Sequence, residues 1–210
     1  MATWTRFYIN SSDTEKVTNL LMDLSGVREV NKGDDIPEDF YDSFLMDENS
    51  NPNYLILSEV QKNWITVLYN SGSKIENWAK SVSKELSCNL IVTIGQNTVD
   101  YYYFSQYQNG EKKREIEVCY GDDIETINFG IPYDFEEDEP GEKQEYDGGI
   151  SYLFDYDSLE RYSQHFGLEI QSDWDNKTWT ILKGHQNQKT TKDFIEQHLN
   201  RNKKPWWKFW

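Results

Sequence analysis

Apolar residues along this chain recur at two spacings, two and about 3.6, and the switches between them mark the elements. Residues 3–9 alternate as a short strand. Ser12-Asp13-Thr14-Glu15 then has the S-x-x-E form of a capping box, which satisfies two orphan amides at a helix start. Val17, Leu20, Leu21 and Leu24 follow at helical spacing, with Gly26 as the stop. Residues 31–53 are polar and contain proline, which predicts a loop with one short turn at 39–44. Two strand-like runs, 54–60 and 64–69, flank a turn short enough for a hairpin. Ser73-Lys74-Ile75-Glu76 is a second box, leading an apolar stripe of Ile75, Trp78, Ala79, Val82 and Leu86. Residues 90–94 read as a buried strand.

Runs 99–107 and 112–120 flank Asn109-Gly110, the favoured type I′ hairpin turn and the clearest structural signal in the chain. Residues 124–133 fit no single element. Residues 134–147 hold eight acids and one lysine around Pro140-Gly141, which predicts a mobile acidic loop. A strand at 149–154, a helix from an Asp157-Ser158-Leu159-Glu160 cap to Phe166 with Gly167 beyond it, a strand at 179–182 and a helix at 191–199 complete the pattern. The sum is an α+β fold: a mainly antiparallel sheet of five to seven strands with two or three helices packed on one face. It forms a single domain over 1–200, followed by a basic aromatic tail, 201–210. Ile9-Asn10-Ser11-Ser12 and Tyr69-Asn70-Ser71-Gly72-Ser73 precede two similarly spaced helices, so an internal strand–helix duplication and convergent capping both fit. In Asp100-Tyr101-Tyr102-Tyr103-Phe104 the rings fall on both faces of a strand. The second face is therefore either open to a partner or covered, and cover by the acidic loop or the C-terminal segment is favoured.

Composition changes this picture in two ways. Apolar residues make up only 37% of the chain and mean hydropathy is −0.84, values that alone suggest disorder. The 15% of aromatic residues argues for a folded core built largely from rings. The net charge of −16 opposes attraction to nucleic acid or an anionic membrane and favours a basic protein partner. No apolar leader or membrane-length run is present, and two cysteines are too few for a disulfide framework, so a cytoplasmic protein with buried thiols is expected.

Candidate chemistry is sparse. There is no phosphate-cradling glycine loop, no nucleophile elbow and no cofactor motif. His165, His185 and His198 have no metal-ligand spacing, and Asp173-Trp174-Asp175-Asn176-Lys177 lacks the glycine and glutamate of a calcium loop, so no metal is expected. Asp122, Asp123 and His165 are the catalytic candidates, carboxylates and an imidazole suited to acid–base work in a hydrolase. The binding candidates are Glu136, Glu137, Asp138 and Glu139 in the acidic segment and Trp206, Trp207, Phe209 and Trp210 in the tail. Arg201, Lys203, Lys204 and Lys208 give the tail four cations and no acid. The remaining residues hold 17 of the 21 basic side chains and all 37 acidic ones, a net charge of −20. The tail can fold onto this body, join a second copy as a homodimer, dock into a partner, or lie at a membrane interface, which the body's charge disfavours.

Trp64-Ile65-Thr66-Val67, Glu85-Leu86-Ser87, the apolar run 90–94 and Asn109-Gly110-Glu111 occur in an order that resembles small acidic bacterial proteins of uncharacterised and immunity type. The resemblance covers about a quarter of the chain and its motifs are structural, so it carries over no functional residue. The expectation is a non-enzymatic acidic protein-binding module, immunity- or inhibitor-like toward a basic partner such as a nuclease toxin. The alternatives are a hydrolase on the carboxylate and histidine candidates, or a DNA mimic. Mimicry needs two rows of acids at phosphate-like spacing, and the sequence shows one dense cluster.

Overall fold

The computed structural model describes residues 3–27, 29–45, 51–120, 125–139, 141–146, 149–170 and 177–184. The fold is α+β. Nine strands form one antiparallel sheet: β1 (Thr3–Asn10), β2 (Glu29–Gly33), β3 (Tyr54–Leu57), β4 (Trp64–Tyr69), β5 (Asn89–Gln96), β6 (Tyr101–Gln108), β7 (Glu111–Cys119), β8 (Glu125–Gly130) and β11 (Trp179–Lys183). Their order across the sheet is β2-β11-β3-β4-β1-β5-β6-β7-β8, so β1 is central and β2 and β8 are edges. β9 (Lys143–Tyr146) and β10 (Gly149–Tyr152) form a separate hairpin. Helices are α1 (Thr14–Ser25), α2 (Asp39–Asp42), α3 (Glu76–Glu85), α4 (Asp134–Asp138) and α5 (Tyr156–His165). None of the described helices is long and apolar enough to cross a membrane.

β3 and β4 are buried at every position, and β5 at all but its two ends. Strands apolar on both sides need cover on both sides. On one face Phe7, Ile9, Val67, Leu90, Val92 and Tyr103 pack beneath Val17 and Leu21 of α1 and Trp78, Ala79 and Val82 of α3. These are the two helices expected there. On the other face Tyr8, Ile91, Tyr102, Phe104, Ile116 and Val118 meet Leu159 and Tyr162 of α5, while Phe40 of α2 covers Tyr54, Ile56 and Leu68 further along. The alternating rings of β6 thus sit in two cores, and the second face is covered, as expected, but chiefly by α5, with Phe135 of the acidic segment packed beside it.

The strand–helix pairs β1–α1 and β4–α3 lie side by side, with β1 and β4 antiparallel and both helices on one face. Their matching asparagines do different work. Asn70 is fully buried, accepts from the Tyr54 amide at 2.8 Å and donates to the Ser43 carbonyl at 3.0 Å. Asn10 is partly exposed and donates to the Asn63 carbonyl.

Helix starts differ from the S-x-x-E reading by a residue or two. α1 is capped by Asp13, whose carboxylate accepts from the Lys16 amide at 2.9 Å, and α5 by Asp155, which accepts from Ser158 at 2.9 Å. At α3 no side chain caps the helix, because Ile75 takes the cap position with φ 45° and buries its side chain in the core. Packing outweighs capping there. The stops fall as expected: Gly26 and Gly167 have φ 71° and 72°. The acidic segment 134–147 holds α4 and β9, with Pro140 and Asp147 outside the described residues. The expected helix at 191–199 and the tail at 201–210 also lie outside them.

Asn109 and Gly110 have φ 53° and 84°, the type I′ geometry. The turn is docked on α3: the Gly110 amide donates to Ser83 Oγ at 2.9 Å, and a Cβ at Gly110 would lie 2.9 Å from Lys84 Cβ. Gly110→Val therefore meets both a left-handed backbone and a neighbour, and is expected to lower stability by about 1–3 kcal/mol, read as a lower urea midpoint. Trp78→Ala empties a site between α3 and the sheet and is expected to cost about 3–5 kcal/mol, measured in the same titration.

Candidate binding surface

Strand β7 places Arg114, Ile116 and Val118 on one face, and Arg114 is 1% exposed. Its guanidinium faces α4. Nε donates to Glu136 Oε1 at 2.8 Å and Nη2 to Oε2 at 2.5 Å, a bidentate pair. Nη1 donates to Asn128 Oδ1 at 2.6 Å and to the Phe129 carbonyl at 2.8 Å. Glu136 also accepts from the Tyr133 amide at 3.0 Å, and the Tyr133 hydroxyl donates to Gln106 Oε1 at 2.6 Å. One arginine thus ties β7, β8 and α4 together. Burial pushes the Glu136 carboxyl up, but the bonds from Arg114 and the Tyr133 amide outweigh it and hold the pKa below its ordinary value. Burial likewise disfavours the charged guanidinium, and Glu136 reverses that, leaving the Arg114 pKa raised.

Gly130 makes this approach feasible. Its φ is 93°, and a Cβ there would lie 2.1 Å from the Lys113 carbonyl oxygen. Beyond it the chain turns onto the face of α5. Phe135 packs edge-on to Tyr162 at 5.0 Å and stacks with Tyr133 at 5.2 Å, and Tyr162 also meets Phe104 and Phe154. α4 therefore has one anchored side, and its remaining acids face water. Asp134, Glu137, Asp138 and Glu139 are exposed.

The same end of the sheet exposes apolar surface. Half of the large hydrophobic side chains exposed among the described residues lie here: Ile127 (41%), Phe129 (50%), Ile131 (86%) and Tyr152 (49%). Between β8 and the β10–α5 segment lies a cleft of about 310 Å³ lined by Ile116, Val118, Asn128, Phe154 and Arg161. Clusters of apolar surface among charges mark interaction sites.

The sequence candidates distribute unevenly over this surface. Glu136 is occupied by Arg114. Glu137 and Asp138 make no ion pair with a described residue, whereas Glu139 lies 3.4 Å from His165 Nε2 and 4.0 Å from Arg161 Nε. The His165 ring stacks on Phe135 with centroids 3.6 Å apart, so this imidazole belongs to the α4–α5 contact. Asp122, Asp123, His185, His198, Trp206, Trp207, Phe209 and Trp210 lie outside the described residues. No described group of three His, Cys, Asp or Glu side chains is placed to hold a metal ion. Cys88 and Cys119 are free thiols, and burial pushes Cys88 up to about 11.

Arg114 was not a sequence candidate. The alternation of Arg114, Ile116 and Val118 along β7 is the signal that places it inward. No family model, curated protein or solved structure matches the chain.

Because the folded pKa of Glu136 is depressed, the stability it contributes is complete above its ordinary value near 4.5 and is lost as pH falls through the lower folded value. Glu136→Gln leaves Arg114 buried without a counter-charge and is expected to cost about 3–5 kcal/mol at neutral pH. Urea unfolding from pH 6 to 3 should then show a shallower acid decline in the variant than in the parent chain.

Proposed function

We propose that this chain is a non-enzymatic acidic module that binds a basic protein, with inhibition of that partner, as in immunity toward a nuclease toxin, as the sharpest form. The observation that carries the reading is the β8 end of the sheet, where exposed Ile127 and Phe129 lie on one face and Arg114 holds the acidic helix α4 on the other. The net charge of −16 steers a cationic partner toward the chain, and apolar contacts then supply the part of affinity that salt does not screen. The buried Arg114–Glu136 pair holds the acidic helix in a fixed position, so little ordering entropy is lost on binding.

A charge-neutralised chain tests this. Asp134→Asn, Glu137→Gln and Asp138→Asn together leave Glu136 and the anchored side of α4 intact. Capture from the native cell at low salt is expected to retain a basic protein on the parent chain, with at least about tenfold weaker retention on the triple variant. The purified chain is expected to inhibit the captured protein's activity. Equal capture by both chains, or a captured protein without basic character, overturns the reading.

A further inference from the structure

The cleft between β8 and α5 combines an apolar floor with a polar end. Ile116 and Val118 of β7 lie opposite Asn128 and Thr126 of β8, and all four line it. Phe154 and Arg161 line it from the β10–α5 side. The end is closed by Arg114 and by Glu136 of α4. Both Glu136 oxygens are already held by Arg114, and one also accepts from the Tyr133 amide. Arg161 is thinly partnered by comparison. Its Nη2 donates to Ser158 Oγ at 3.3 Å, and its buried Nε lies 4.0 Å from Glu139 and makes no hydrogen bond.

We propose that this cleft receives one tyrosine side chain of the basic partner, while lysines or arginines next to that tyrosine meet the exposed acids of α4; the inference rests on the basic-partner reading and specifies how such a partner is held. Three observations select the occupant. The volume of about 310 Å³ is at the small end of ligand clefts, which run from about 300 to 1,000 Å³, so it suits a single side chain better than an extended ligand. The Arg161 guanidinium repels a lysine or arginine but attracts the face of an aromatic ring. Asn128 Oδ1 is taken by Arg114, which leaves the Asn128 amide nitrogen as a donor that a tyrosine hydroxyl can accept.

The acids beside the cleft take the partner's cations. Asp134, Glu137 and Asp138 are exposed, and each is within two residues of Glu136. At the helical rise of about 1.5 Å per residue, all three stand within about 3 Å of Glu136 along the axis of α4. Ring and cations therefore have separate places close together. Buried aromatic anchors ringed by polar contacts are the usual centres of protein interfaces.

Two probe peptides test this on the purified full chain, acetyl-Lys-Lys-Tyr-Lys-Lys-amide and the same peptide with alanine in place of tyrosine. The tyrosine peptide is expected to bind at least about tenfold more tightly, and it alone is expected to shift the methyl resonances of Ile116 and Val118. Thr126→Trp fills the cleft from an exposed strand position and is expected to bring the two affinities together without lowering the melting temperature. The triple variant Asp134→Asn/Glu137→Gln/Asp138→Asn is expected to weaken both peptides and to keep their ratio. Equal affinities on the parent chain, binding by neither peptide, or an unchanged ratio in Thr126→Trp overturns the inference. The capture experiment judges the basic partner separately: a basic protein captured by a chain that shows no tyrosine preference leaves that reading standing and sinks this one.

Discussion

Strands β3, β4 and β5 bury apolar side chains on both faces, and that requirement sets the rest of the architecture. A sheet half wet on one side needs one layer of helices. This one needs two, and the chain supplies them unequally. α1 and α3 are long enough to close the first face with regular apolar stripes. The second face is closed piecemeal by α5, by a four-residue helix through Phe40, and by the short acidic helix α4.

Short helices do not hold themselves in place, since a helix of one or two turns cannot repay its own nucleation. α4 is the extreme case, with five residues of which four are acidic and none is buried. Its position depends on what it is tied to. The bidentate pair with Arg114 and the stack of Phe135 against Tyr133 and Tyr162 provide that tie. A buried ion pair adds little net stability relative to an apolar contact, because both charges must leave water. What it gives α4 is a unique placement: only the residue at Glu136 satisfies two guanidinium nitrogens and the Tyr133 amide together. Asp39 does a milder version of the same work for α2, accepting from the Tyr54 hydroxyl and pairing with Lys183.

Legibility in the sequence followed the range of the interaction. The Asn109-Gly110 hairpin, the α1 and α3 stripes and the Gly26 and Gly167 stops rest on neighbours within a few residues, and all are where the pattern puts them. Helix caps were ambiguous wherever Ser, Asp and Thr are adjacent, and at Ile75 a core contact displaced the cap altogether. β2 and β8 were not legible, since an edge strand exposed to water has no buried alternation to reveal it. The α4 segment read as a loop for a related reason. Its acids dominate its composition, whereas the residues that fix it, Arg114 and Tyr162, lie 22 and 26 positions away from Glu136. Among the binding candidates Glu136–Glu139, the sequence could not tell that Glu136 turns inward while Glu137 and Asp138 turn out.

The two edges of the sheet show how unevenly this chain treats its surface. β2 ends the sheet with Glu29 and Lys32 on either side of an exposed Val30, so a second strand approaching it meets charges of both signs. β8 ends it with Ile127 and Phe129 exposed and one charged residue. Among the described residues, charges therefore guard the β2 edge more fully than the β8 edge. The general charge of the molecule fills part of that gap, because two copies of a −16 chain repel when their acidic α4 helices approach. The same field that turns away a second copy attracts a cationic partner. Exposed apolar side chains close to solvent-facing acids are thus selective by sign, because the charge that discourages a second acidic copy favours a cationic contact.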